Sequence, residues 1–414
     1  MNKTIKLAVA GAVLSAATVA NAGIIIPAGE WTIDINGNVN SFVSFIDVDK
    51  QATIAGGRSG GADALGETTN TTFGTGLLPS WLGFTGTTRQ NDLDVSWTIS
   101  FQPNTSENTA TGDGALSSHS GAAATSFQAE TALNRQTFLT FGDKSWGSVK
   151  IGKDLGIFAS DAILNDMTLL GVGSHVYNTS GMGDNTTLGG IGTGYIYAAW
   201  KSQLAYTTPD MNGFQATIAI TNPQQFNNGL YGTSNFQDRP GIEAKAHKTF
   251  TAGSATGKVW VSGASYDQTA SATSSYTADV FDIGANINVG NLGLTGYYYA
   301  GEGVGHTFMG WMGVSATGTK RDSDGGYVQA TYVIPTGTKL GVAYGVSTLD
   351  YADATDRAAV ANLVENNNRW TVGAYHPLTK HLNLVAEYNS TEAESHNGLS
   401  AQTDTVSLGA ILFF

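Results

Sequence analysis

The sequence predicts an all-β fold, a transmembrane antiparallel up-and-down β-barrel of sixteen strands with short periplasmic turns and long extracellular loops. Three observations predict it: segments that alternate apolar and polar residues, connectors that alternate between short and long, and an apolar strand at the end of the chain. In that strand, Val406, Leu408 and Phe414 fall on one face and Ser407 on the other. A soluble sheet rarely leaves such an edge bare, whereas a barrel pairs its last strand with its first.

The first 22 residues have the organisation of a secretory signal peptide. Lys3 and Lys6 precede a short apolar run, and A-N-A at 20–22 is a cleavage site of the A-x-A type. The apolar run is too short to be a membrane-spanning helix. We therefore expect residues 1–22 to be removed and residues 23–414 to form a single barrel domain.

The composition narrows the choice of fold and of partner. Charged residues are 13% of the chain, and Gly accounts for 53 residues against 8 Pro. Low charge suits strands with one lipid-facing side, and glycine suits bends and close approaches. Cys is absent, which excludes disulfides and thiol chemistry. The formal net charge of −13 argues against nucleic acid as a partner.

The strands are predicted from alternation and their order from the connectors. Residues 93–101, 281–289 and 382–388 alternate, with the apolar set expected to face lipid and the polar set the lumen. Short turns and long loops follow each other in turn, which gives sixteen strands and puts both chain ends on the periplasmic side. Long polar connections are predicted at 47–79, 102–133, 154–200, 222–238, 267–277, 301–324, 349–367 and 391–402.

Four stretches of the chain resemble the general diffusion porins of Gram-negative outer membranes. They are RQTFLTFGDKSWGSVKIGK at 135–153, LAYTTPDMNGFQATIAI at 204–220, WTVGAYHPLTKHLNLVAEY at 370–388 and VSLGAILFF at 406–414. The resemblance implies a sixteen-stranded homotrimer, surrounded by outer-membrane lipids, that passes small hydrophilic solutes and ions by passive diffusion. It also implies that the strand ending in Phe414 is the signal recognised by the barrel-assembly machinery.

Two departures from that family limit what can be carried over. Residues 23–30 precede the first expected strand, where family members start almost at once. The neighbourhood 199–203 lacks the arginine that many members place there, so no pore arginine is assigned from the resemblance.

The connection 154–200 is the predicted constriction loop. It is the longest connection and the third in order, and the third loop of the family folds into the lumen. It carries four acidic candidates, Asp154, Asp161, Asp166 and Asp184. Acidic loop residues that face basic wall residues would set a transverse field across the constriction.

Strand parity assigns charged side chains to the pore wall. A lysine or arginine at the lipid midplane costs about 2–4 kcal/mol, which favours the inward direction. Arg135 has outward parity at a strand end, so its direction stays open. Together with the net acidic charge, the wall and the loop predict a mild cation preference. The inward candidates are Lys150, Lys245, Arg369, Glu243, Asp94 and Asp282.

Two other functions remain open at this point. A channel selective for sugars or organic acids is one, since Tyr297 and Tyr299 have inward parity and could stack on a sugar. A barrel that acts as a surface adhesin or an enzyme is the other, because the long polar loops suit surface binding. The seven His have no metal-ligand spacing and no catalytic motif is recognised, so neither a metal, a cofactor nor catalysis is predicted.

Overall fold

The protein was examined as a computed structural model, which describes residues 23–49, 54–60, 66–103, 105, 133–175, 186–222, 239–271 and 274–414. The predicted signal peptide 1–22 and the candidate Asp184 lie outside the described residues. No helix in the described ranges is both long and apolar enough to cross a membrane.

Within the described residues, eighteen strands form one antiparallel sheet, with two short helices and one 3-10 turn in the connections. The helices are α1 (Ser160–Asn165) and α2 (Ala354–Ala359), and the 3-10 turn is Met167–Leu170. The strands are β1 (Ile24–Ala28), β2 (Trp31–Val48), β3 (Thr69–Gly74), β4 (Trp81–Gln90), β5 (Leu93–Gln102), β6 (Leu133–Asp143), β7 (Gly147–Leu155), β8 (Trp200–Thr207), β9 (Phe214–Thr221), β10 (Gly241–Ala252), β11 (Ala255–Ser271), β12 (Ser274–Val289), β13 (Leu292–Glu302), β14 (Asp322–Val333), β15 (Lys339–Thr348), β16 (Val364–Pro377), β17 (Leu382–Ser395) and β18 (Ser400–Phe413).

Sixteen of these strands, β2 and β4 to β18, form the wall of a closed barrel, which confirms the predicted fold class. Each of these wall strands pairs with the next along the chain, and β18 closes the ring on β2 from Thr403↔Val48 to Phe413↔Asn38. The two remaining strands both lie along β2. β3 pairs with its upper half, above β4, and β1 pairs with its lower half, below the end of β18. The strand β1, which precedes β2 in the chain, therefore continues the pairing along β2 beyond the point where β18 ends.

Side chains alternate across the wall in the direction that a membrane requires. Large apolar side chains are exposed on the outside, as at Val328 (61%) and Ile283 (56%). Inward positions are polar and buried, as at Glu243, Asp282 and Ser407. A soluble barrel would bury the apolar set, so the outer wall of this barrel faces lipid.

Two predicted long loops are wrong, the predicted loop 47–79 contains the strand β3, and the bounds of the third long loop differ. Over 267–277 the strands β11 and β12 continue as a tall hairpin, and over 391–402 β17 and β18 do the same. Both faces of a strand are hydrated above the membrane, so polar residues on both faces there do not distinguish a strand from a loop. The third long connection spans 156–199, because β7 ends at Leu155 and β8 begins at Trp200. Asp154 is therefore a strand residue and not a loop residue.

Candidate functional site

The connection 156–199 is here termed the pore loop, and its described residues, 156–175 and 186–199, lie against the inner wall of the barrel. It is closed at its base by a hydrogen bond of 2.8 Å from the Gly156 N–H to the Ala199 carbonyl. Its helix α1 contacts β12. Further along, the Gly194 N–H donates to Ser347 Oγ on β15 at 2.9 Å. The described parts of the loop thus touch two separate strands of the wall, β12 and β15.

Glu243 on β10 is one of the wall residues that hold the loop. Its carboxylate accepts from the backbone N–H groups of Ile157 and Phe158, the latter at 3.0 Å. It also accepts from Lys201 Nζ at 2.6 Å and from the Tyr266 hydroxyl. A buried carboxylate is tolerated only when its lone pairs are satisfied, and these four donors do so. The base of the loop is therefore fixed to the wall by a charge-assisted network.

Two more wall carboxylates act in the same way. Asp282 on β12 accepts from the Ala159 N–H at 3.2 Å. Glu387 on β17 accepts from the N–H groups of Val172 and Gly173 at 2.9 and 2.8 Å. Acidic side chains on the wall thus bind the backbone of the loop, an arrangement opposite in sign to the predicted pattern of acidic loop and basic wall.

The predicted pattern of an acidic loop residue facing basic wall residues does occur at Asp161, in the first turn of α1. Its carboxylate forms ion pairs with Lys245 on β10, at 3.1 Å, and with Lys258 on β11. Lys245 is one of the inward candidates, and it contacts Asp161 of the loop. Lys258 was not predicted, although its position opposite Asn286 in the β11–β12 register places it on the same inner face.

Asp166 lies where α1 ends and the 3-10 turn begins. Its Oδ2 is 3.7 Å from Arg369 Nη2 and accepts from the Tyr195 hydroxyl at 2.9 Å and the Gly190 N–H at 3.0 Å. Its Oδ1 accepts from the Thr168 N–H at 2.9 Å. The carboxylate therefore joins two distant parts of the pore loop to the predicted wall arginine.

The remaining candidates lie elsewhere. Asp154, on β7, is paired with Lys150 and accepts from Gln136 Nε2 at 2.9 Å. Asp94 is bound to Arg89 at 2.7 Å, away from the pore loop, near the short turns. Asp154, Asp161 and Asp166 each contact a basic candidate, whereas Glu243 pairs with Lys201 and Asp282 accepts from backbone N–H and hydroxyl groups. The fields of the paired charges are therefore local and largely compensated, since opposite charges in contact act at a distance only as dipoles.

Arg135 is a lumen residue that parity could not assign. A β-bulge in the β5–β6 pairing between Ser100 and Phe101 shifts the alternation and turns its side chain inward, where it is 4% exposed. The guanidinium lies 4.7 Å from the ring centroid of Trp81 and 4.2 Å from that of Trp200. Cation–π contact on both sides holds this charge without a carboxylate.

The inward tyrosines serve packing. Tyr297 stacks on Tyr327 at 5.6 Å between ring centroids, and Tyr195 of the pore loop packs edge-on against both. The Tyr327 hydroxyl donates to the Ala162 carbonyl at 2.8 Å. Tyr299 is buried beside them. These rings are covered by the loop, so they present no open track for a sugar.

Comparison with known proteins gives one family and one fold. A family model described as Gram-negative porin matches residues 7–396. No curated protein matches the chain at a significant level.

Solved structures with the same fold cover nearly the whole chain. The outer membrane channel DcaP of Acinetobacter baumannii has a TM-score of 0.65 at 15% identity, covering 95% of this chain and 99% of that one. The anion-selective porin from Comamonas acidovorans has a TM-score of 0.59 at 15% identity, covering 93% and 100%. Salmonella typhi OmpF in complex with daunomycin has a TM-score of 0.57 at 14% identity, covering 94% and 100%. The chain therefore belongs to the Gram-negative porin family, and it is an outer-membrane β-barrel channel for diffusion and not an enzyme.

Proposed function

We propose that this channel selects small hydrophilic solutes and ions by size, at a constriction formed by the pore loop. The observation that carries the proposal is the attachment of the loop to inward residues of β10, β12, β15 and β17 through buried hydrogen bonds. A segment held at so many points across a barrel narrows the water-filled lumen and keeps it narrowed.

Removal of part of the loop tests the proposal. Replacing 160–171 by a short glycine linker should raise the single-channel conductance and the size limit for sugars in liposome swelling. Shortening the connection 349–363 by the same amount serves as the control, because that connection lies after β15 and leaves the pore loop in place. An unchanged conductance and size limit in the 160–171 variant would contradict a constriction formed by this loop.

A mild cation preference is part of the proposal. The chain carries a formal net charge of −13, which attracts cations to the channel mouths. The preference is expected to be weak, because the ion pairs of Asp161 and Asp166 compensate the charge of the loop. Measurement of the reversal potential in a KCl gradient gives its sign, and an anion-selective potential would overturn this part of the proposal.

We also propose that the chain is exported and assembled in the way that the resemblance to Gram-negative porins implies. We infer that the chain forms homotrimers, that residues 1–22 are a signal peptide, and that Phe414 is read by the barrel-assembly machinery. The OmpT outer membrane protein of Vibrio cholerae, solved in a trimer form, shares the fold at a TM-score of 0.50 and 13% identity. Light scattering of the purified protein in detergent measures the oligomeric state directly.

A further inference from the structure

Arg58, in the connection between β2 and β3, is a buried cation with an unusual environment. Its side chain is 2% exposed, and Nε, Nη1 and Nη2 have no hydrogen-bond partner among the described residues. Its backbone is firmly placed, since the Arg58 N–H donates to Asn367 Oδ1 at 2.7 Å and Asn367 Nδ2 donates to the Gly56 carbonyl at 3.3 Å. A guanidinium buried without a counter-charge is strongly unfavourable.

Other buried arginines in the described part of the chain are compensated. Arg321 forms a bidentate pair with Asp356 at 2.7 and 2.6 Å, and it donates to the Met312 carbonyl at 3.0 Å. Arg369 lies beside Asp166, and Arg135 lies between two indole rings. The lack of partners at Arg58 is therefore specific to its site.

Arg58 lies where three connections meet. A Cβ built on Gly192 of the pore loop would lie 3.0 Å from Arg58 Cδ and 2.4 Å from Thr307 Oγ1. A Cβ built on Gly56 would lie 3.1 Å from His306 Nε2. Because Gly56 and Gly192 have no side chain, the pore loop, the connection that carries Arg58 and the connection that carries His306 can approach one another closely.

Two further polar groups at this junction lack partners. His306 Nε2 and Thr193 Oγ1 are buried and make no hydrogen bond with any described residue. His306 Nδ1 is bound to Thr307 Oγ1 at 2.7 Å, so Nε2 is the nitrogen left available. Burial, with Arg58 and Arg321, lowers the pKa of His306 to about 3, so the ring is neutral at ordinary pH. The site then has one positive charge, from Arg58, and two neutral hydrogen-bonding groups.

We propose that the junction of Arg58, His306 and Thr193 is a binding subsite for one oxyanion group, the carboxylate or phosphate of a small solute. The planar fork of a guanidinium matches two oxygens of such a group, and a charged acceptor compensates the buried cation. The subsite lies among the long connections beside the pore loop, so a bound anion would sit next to the diffusion path. The field of one buried arginine is local and does not set the selectivity of the whole lumen.

Binding is measured on the purified full-length protein in detergent, and it does not depend on conduction. Isothermal titration calorimetry with succinate and with inorganic phosphate distinguishes the two oxyanions, and glucose serves as the neutral probe. We expect saturable binding of at least one anion and none of glucose. Arg58→Gln should weaken the anion affinity roughly thirtyfold, the cost of leaving a buried partner unpaired. Arg58→Lys should recover part of it, because the charge remains and the fork is lost.

The matched control is Arg239→Gln, which removes another arginine near the long connections. Arg239 already binds Asp267 through two hydrogen bonds of 2.8 and 2.7 Å, so its loss should leave anion affinity unchanged. No binding of either anion to the native protein, or equal binding by Arg58→Gln, would overturn the subsite. A channel that conducts normally but fails this titration leaves the proposed function intact, whereas one that binds anions without conducting refutes only the proposed function.

Thermal unfolding gives a second measurement that does not need a tight ligand. In a buffer without oxyanions, Arg58→Met should unfold at the same temperature as the native protein or a higher one, because an uncompensated buried charge is removed. Added phosphate or succinate should raise the unfolding temperature of the native protein but not that of Arg58→Met. A large fall in the unfolding temperature of Arg58→Met without anions would show that Arg58 is structural, and would contradict the proposal.

Discussion

Asp161 shows how much the meaning of a charged residue depends on what it touches. As a loop carboxylate it predicts attraction of cations, yet in the structure Lys245 and Lys258 both contact it. The three side chains together carry a net positive charge, the reverse of the sign expected from the aspartate alone.

Removal of that carboxylate should change the ion selectivity. In Asp161→Asn both lysines lose their counter-charge, so the lumen gains about one positive charge beside the pore loop. We expect the reversal potential in a KCl gradient to move toward anions. The matched control is Glu302→Gln, which removes the carboxylate of an exposed pair with Lys320 at the rim and should move the potential less. Equal shifts in the two variants would place Asp161 outside the conducting path.

The buried pair of Arg321 and Asp356 carries a pH-dependent contribution at the long-loop end. Burial raises the pKa of Asp356, but hydrogen bonds from Arg321 and from the Ala352 N–H outweigh it and hold the pKa below its ordinary value of 3.8. The carboxylate is therefore easier to ionise in the folded chain than in the unfolded chain. Its contribution to stability is fully present above a pH of about 3.8 and is lost as the pH falls through the folded pKa.

Hydrogen exchange measures this loss. Amides of 349–360, corrected for the intrinsic rate, should keep their protection at about pH 6 and lose it at an acidic pH below the folded pKa of Asp356, since the protonated carboxyl no longer pairs. Asp356→Asn should lack the protection at both values. Equal protection of the native protein at the two values would show that the pair does not hold this connection.

At the scale of elements, the pore loop is held mainly by groups that the sequence does not distinguish. The wall carboxylates Glu243, Asp282 and Glu387 accept from backbone N–H groups of the loop. Every residue but proline has such a donor, so no side-chain pattern marks which ones will be bound. Parity assigns Glu243 and Asp282 to the inner wall, but it gives no indication of which groups they bind.

Weakening one of these hydrogen-bonded attachments should increase the motion of the pore loop. In Glu387→Gln the amide can still accept, but its NH2 group turns a donor toward the N–H groups or the hydroxyl that the carboxylate now binds. We expect more open-channel current noise and brief closures in single-channel records. Glu392→Gln, on the same strand near its long-loop end, should behave like the native channel. Quiet records from Glu387→Gln would mean that the other attachments suffice.

Strand bounds were predictable where one face meets lipid and not where both faces meet water. Alternation marks β5 and β15 clearly, because lipid demands apolar residues at every second position. Above the membrane that demand ends, so the upper parts of β11 and β17 carry polar residues on both faces, a pattern that also predicts a loop. The bulge at Arg135 is a second limit, since one extra residue reverses parity without any sign in the sequence.

At the scale of the whole molecule, the barrel follows from parity and connector order, whereas the site does not. Closure of β18 on β2 was predicted, and the register confirms it. Contacts in the lumen join positions far apart along the chain, such as Asp166 with Arg369, which the sequence gives only as two separate inward charges. A lumen is filled from all sides, so its pairs depend on where the loop finally lies.

The terminal residue should affect assembly more than conduction. Phe414 exchanges two backbone hydrogen bonds with Gly37, of 2.9 and 3.1 Å, and both survive a change of side chain. Phe414→Ala should therefore lower the amount of folded barrel in the outer membrane, while the molecules that do fold conduct normally. Quantitative immunoblots of membrane fractions and single-channel records check the two parts. Normal amounts of Phe414→Ala would exclude the aromatic ring as an assembly signal.

The tall hairpin of β11 and β12 has a consequence for the cell surface. β11 is 17 residues long, whereas about 9–11 cross the hydrocarbon. Its outward apolar side chains stop near Val261, and Asp267 is bound outside that band to Arg239. About six residues of β11, or about 20 Å of strand, thus extend beyond the lipid on one side of the channel entrance. We expect an epitope spliced between Ser271 and Ser274, at the tip of this hairpin, to be displayed to antibodies on intact bacteria.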